Sequence, residues 1–244
     1  MWNDHVSPVP AAPPVAPPEH TGKRPGWPEI AVAAVAYVVL VVAGIALIVS
    51  IPDEHAVARG IVSYVVSALA GLGAFGMAFV VRLRDPGAFG LRRVSGKWLL
   101  VGAGLGLGAF VLNIAVSAVY ARLSGDTGNP QGDYRAAAGG GAFAFVLTLL
   151  CGAVATPLGE ELAFRGVLAG ALGRYGSWAS VLGSSAVFAL AHGLNVILPI
   201  AFVVGTASSL LLRKTGSVWP GVCVHAANNG LSVILPALAA LAAR

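Results

Sequence analysis

Charge is what this sequence has least of. Only 10% of its 244 residues are Asp, Glu, Lys or Arg, where a soluble domain carries about 25%. Its two cysteines, Cys151 and Cys223, both fall inside apolar runs, which argues against a disulfide-stapled scaffold and a cysteine-rich metal site. No HExxH and no GxSxG occurs, so the zinc-protease helix and the nucleophile elbow are absent. The net charge of +5 forms no basic stripe interleaved with aromatics, so no nucleic-acid partner is expected. The run GAGLGLGAF, Gly102 to Phe110, lacks the third glycine of a dinucleotide loop and follows no strand.

What is present is apolar sequence. Hydrophobic residues make up 57% of the chain, and its mean hydropathy is +0.82. The run IAVAAVAYVVLVVAGIALIVS, Ile30 to Ser50, is long enough as a helix to cross a bilayer core, which takes about 20 residues. The expected fold class is all-α, a polytopic bundle of transmembrane helices. Seven spans are read at 29–50, 57–81, 98–120, 141–173 (broken or bent near Pro157), 178–194, 197–212 and 218–242. An eighth, re-entrant or split helix stays open.

Three regions follow from this pattern. Residues 1–28 are proline-rich and read as an extended cytoplasmic tail, 29–140 as three helices with their loops, and 141–244 as a core that carries the polar residues. The stretch RLRDPGAFGLRRVSGK, Arg82 to Lys97, is a basic loop, and Lys23, Arg24, Arg174, Arg213 and Lys214 fall on its side of the bilayer. Positive residues mark the cytoplasmic side of a cell-membrane protein, which places the N-terminus inside. Gly102/Gly106, Gly104/Gly108 and the group Gly71, Gly73 and Gly76 are expected to let helices pack closely.

Ionisable groups inside a membrane are costly and are kept for function. The second half places Glu160, Glu161 and Arg165 in GEELAFRG, His192 in FALAHG, and His225, Asn228 and Asn229 in VHAANNG. At about 100° per residue, Glu161 and Arg165 share a helix face while Glu160 points elsewhere. His225 and Asn229 share a face, and Phe188 lies one turn before His192. Counted at about 1.5 Å per residue, these groups can occupy one layer, in a water-accessible cavity expected to open toward the cytoplasm. Glu161 with Arg165 reads first as a structural pair, whereas Glu160 lacks an obvious partner. A carboxylate beside a histidine can take a proton from attacking water, and histidine with asparagine can donate to an oxyanion. Alternatively, Glu160, His192 and His225 form a two-histidine, one-carboxylate set for a divalent metal such as zinc. Either version hydrolyses an amide.

These residues resemble the CAAX prenyl protease and bacteriocin-processing (CPBP, or ABI) family of intramembrane proteases. EELAFR (Glu160 to Arg165), FALAH (Phe188 to His192) and HAANN (His225 to Asn229) match its three motifs in order. The resemblance covers roughly 141–244. It implies that Glu160 and His192 activate water, that His225 and Asn229 stabilise the oxyanion, and that Glu161, Arg165 and Phe188 support the site. It also implies a membrane-anchored protein or peptide as substrate, with the lipid bilayer as surroundings; metal dependence, prenyl preference and oligomeric state stay open. One rival is a non-catalytic scaffold or bacteriocin-immunity protein that keeps the motifs. A proton-coupled transporter is the other, opposed by the lack of internal repeats and by the single polar cluster.

Overall fold

The structure is a computed structural model describing residues 23–124 and 130–243, and every described element is helical. The long helices are α1 (Trp27–Val49), α2 (Ala56–Val81), α3 (Gly96–Ser124), α5 (Ala142–Tyr175), α7 (Leu198–Thr215) and α8 (Trp219–Ala242). Two short ones are α4 (Gly132–Gly139) and α6 (Ala179–Ala191). Five helices are long and apolar enough to cross a membrane: α1, α2 with its leading turn, α3, α5 and α8. Of the seven expected spans, α6 is too short to count and α7 is not among the five. The expected tail lies outside the described residues as far as residue 22; Pro25 and Gly26 are buried, and α1 has begun at Trp27.

α5 runs unbroken through Pro157. Proline removes a helical hydrogen bond and collides with the carbonyl four residues earlier. The chain absorbs this by widening into π-type turns over Cys151–Ala155, just ahead of the proline, and again over Leu162–Ala169. The tighter turn between them, Thr156–Glu161, carries both glutamates.

Glycine sets how closely α5 meets α2. A Cβ on Gly71 would sit 2.7 Å from the Gly159 carbonyl oxygen and 2.8 Å from the Glu160 nitrogen, so only glycine allows this crossing. Gly102 and Gly106 serve α3 likewise: a Cβ on Gly106 would lie 2.8 Å from that of Ala227 on α8. Gly76, Gly104 and Gly108 meet nothing within 4 Å, so these three do not take part in the expected packing.

One end of the bundle gathers the basic loops. Arg82 forks both carboxylate oxygens of buried Glu29 at 2.9 Å, Arg174 donates to the Pro25 carbonyl at 2.9 Å, and Ser217 donates to the Arg92 carbonyl at 2.8 Å. At the opposite end Arg59 joins Asp133 of α4 at 2.9 Å and also pairs with Asp53.

Candidate active site

Because α2 and α5 cross at Gly71 and Gly159, a side chain one turn before Gly71 reaches Glu160. That side chain is Ser67, whose hydroxyl donates to Glu160 Oε1 at 2.7 Å. Glu160 Oε2 has no hydrogen-bond partner among the described residues. It faces two imidazoles instead, with His225 Nε2 at 3.6 Å and His192 Nε2 at 4.0 Å. Three helices of the sequence-predicted constellation thus meet at one carboxylate oxygen.

Hydrogen bonding fixes how one ring presents itself. His192 Nδ1 lies 2.9 Å from the Phe188 carbonyl, which can only accept, so Nδ1 carries the proton and Nε2 is left toward Glu160. His225 is held between two acids, since its Nδ1 lies 3.8 Å from Glu161 Oε1. Phe188 wedges this arrangement together. Its ring packs against His192 at 4.6 Å, His225 at 5.6 Å and Phe164 at 5.1 Å between centroids.

Below this layer lies the pair that the i,i+4 spacing predicts. Arg165 Nη1 is 3.3 Å from Glu161 Oε1, and both side chains are 0% exposed. A buried pair needs further compensation for its desolvation. The guanidinium carbon sits 4.3 Å from the Phe188 centroid, which supplies a cation–π contact. Small neighbours make the room: a Cβ on Gly221 would lie 2.5 Å from Glu161 Oε2, and one on Gly205 would lie 3.0 Å from Arg165 Nη2.

Asn229 is placed differently from the other motif residues. Its Nδ2 donates to the Gly152 carbonyl at 3.1 Å, in the first widened turn of α5, and its Oδ1 accepts from Asn228 at 3.2 Å. One N–H of the amide therefore remains for a ligand. Both asparagines line the cavity.

The cavity has a volume of about 330 Å³, with Glu160, His192 and His225 in its wall. It extends past Tyr64 to Tyr134, Gln131 and Pro130, at the end away from the basic loops and not beneath them as expected. The turn that connects α6 to α7 lines it as well, through His192, Asn195 and Ile197. Burial pushes the Tyr134 hydroxyl up, the charge of Glu160 adds to this, and the phenol stays a proton donor.

Two features escape a motif reading. Ser67 lies in a span without motif residues, although Ser63 and Ser67 recur one turn apart in VSYVVSALAG. Tyr64 also contributes through its backbone, accepting from Thr156 at 3.1 Å. Among the described residues no three His, Cys, Asp or Glu side chains are arranged to hold a metal ion. Cys151 and Cys223 are both free.

Residues 142–231 match the family described as type II CAAX prenyl endopeptidase, Rce1-like. No curated protein and no solved structure matches the chain. The matched stretch holds all three motifs, and the CPBP resemblance read from them is borne out. The five long apolar helices make this a multi-pass membrane protein, and its residues 142–231 are similar to a protease family.

Proposed function

We propose that the chain is an intramembrane endopeptidase that hydrolyses a peptide bond of a membrane-associated protein or peptide. The observation that carries this reading is Glu160 Oε2 within 4.0 Å of both histidine Nε2 atoms in the wall of a cavity. A water between these groups attacks the scissile carbonyl while Glu160 Oε2 takes its proton and His192 Nε2 orients it. With Nδ1 turned to Glu161, His225 donates from Nε2 to the oxyanion when its ring carries both protons. The free N–H of Asn229 supplies a second donor. Collapse of the tetrahedral adduct breaks the C–N bond, and Glu160 passes its proton to the leaving amine.

Ser67, Glu161, Arg165 and Phe188 act through these groups. We read water activation as the work of these side chains, and Glu160, His192 and His225 are also the residues that would hold a divalent metal. We further place the protein in the cell membrane with its N-terminal segment cytoplasmic, on the strength of the basic end.

The test is cleavage of a membrane-anchored peptide library by the purified full chain and by Glu160→Gln. Cleavage that disappears in the variant supports the reading. Cleavage by both overturns the role of Glu160. Cleavage by neither favours a scaffold or immunity protein, and pH-driven solute uptake into vesicles would favour a transporter.

A further inference from the structure

The two ends of the bundle differ in charge and in access. Lys23 and Arg24, the 82–97 loop, Arg174, and Arg213 with Lys214 converge at one end through the contacts that tie Pro25, Arg92 and Glu29 there. The other end mixes signs, with Asp53, Asp133 and Arg59 in one ion-pair cluster. An excess of Lys and Arg in short loops marks the cytoplasmic side. The basic end is therefore the cytoplasmic one.

The cavity belongs to the other end. Pro130, Gln131 and Tyr134 line it there, and none of the basic loop stretches contributes to its wall. A second cavity of about 450 Å³ enters from the basic end and stops at Phe89 and Arg165, sharing no wall residue with the catalytic one. Phe89 stacks edge-on against Phe75 at 5.4 Å and tilts against Phe79 at 5.9 Å, while Phe164 closes against Phe188. The turn between α6 and α7 reinforces the asymmetry. Residues Ala191, His192, Asn195 and Ile197 of that hairpin tip line the cavity.

We propose that the site is loaded from the extracytoplasmic face, so that its substrates are membrane-associated segments lying at or just within that face. A polypeptide end presented from the cytoplasm meets instead the separate cavity that ends at Phe89 and Arg165. The substrate part of this statement rests on the peptidase reading above; the accessible face does not.

The experiment uses single-cysteine variants of the full chain in which Cys151 and Cys223 are replaced by alanine. Gly132→Cys reports the end near α4, where an added Cβ meets nothing within 4 Å. Ala191→Cys reports the cavity, and Lys214→Cys reports the basic end. A membrane-impermeant maleimide is expected to label Gly132→Cys and Ala191→Cys in intact cells, and Lys214→Cys only after permeabilisation. Labelling of Ala191→Cys together with Lys214→Cys overturns the proposal, as does protection of Ala191→Cys from both sides. In parallel, one cleavable segment is fused to either the outer or the inner end of a single anchor helix. Cutting of the outer fusion alone is expected; cutting of the inner fusion overturns the substrate class. If neither fusion is cut while labelling follows the expected pattern, the peptidase reading fails and the face stands.

Discussion

Ser67 and Glu160 are 93 positions apart in sequence and joined by a 2.7 Å hydrogen bond. The bond occupies Oε1 of the carboxylate and leaves Oε2 turned to the two histidines. A hydroxyl from a span without motif residues thus orients the group proposed to activate water.

Ser67→Ala should lower kcat by roughly 10- to 100-fold with little change in KM, because a hydrogen bond to a charged group is worth about 1.5–3 kcal/mol. Ser67→Thr, which keeps the hydroxyl, should restore most of the loss. Steady-state kinetics on a cleaved reporter peptide decides it, and an unchanged kcat in Ser67→Ala would remove Ser67 from the mechanism.

The two adjacent glutamates should separate in their effects. Glu160→Gln abolishes hydrolysis and leaves the melting temperature close to that of the parent. Glu161→Gln strands the fully buried Arg165, and breaking a buried pair costs about 3–5 kcal/mol. Thermal unfolding in detergent should therefore show a marked drop for Glu161→Gln alone; equal stability of the two variants would contradict the division of labour.

Gly71→Ala and Gly76→Ala form a matched pair on α2. The first places a methyl group 2.7 Å from the Gly159 carbonyl oxygen and should cost about 1–3 kcal/mol, as overpacking does. It should also impair catalysis by spreading Ser67 from Glu160. The second meets nothing within 4 Å and should be neutral or stabilising by up to about 1 kcal/mol. Melting temperatures and turnover, measured side by side, test both.

Chelation provides the fourth expectation. If side chains alone activate the water, prolonged treatment with a strong chelator followed by dialysis should leave the cleavage rate unchanged. Loss of activity that returns on adding zinc would assign the chemistry to a metal.

Sequence patterning showed where most long helices run because apolar length and charged punctuation are strong signals in a membrane chain. It also brought out the motif residues, since Glu160, His192 and His225 are rare types at that depth. Other features depend on what lies across a helix interface. Spacing alone gives Gly102/Gly106 and Gly104/Gly108 the same pattern, yet only the first pair faces another helix. Pro157 signals a break, but the cost is absorbed in the widened turn before it. Ser67 is an ordinary serine until Gly71 and Gly159 bring it to Glu160. The cavity wall includes the turn where α6 stops, and a run of apolar residues does not announce its own depth.

The length of α6 has one more consequence. At about 1.5 Å per residue the helix covers only some 20 Å, against a hydrocarbon thickness of about 30 Å. Leu190 and Leu194 at its tip are 59% and 85% exposed, so acyl chains must reach them from a leaflet locally drawn down beside the hairpin. Each ångström of mismatch costs a fraction of a kcal/mol. Short-chain bilayers should relieve this mismatch, and long-chain ones should oppose it. Headgroups and interfacial water pulled toward the hairpin tip would carry a polar peptide backbone most of the way to Glu160 before it left a hydrated environment.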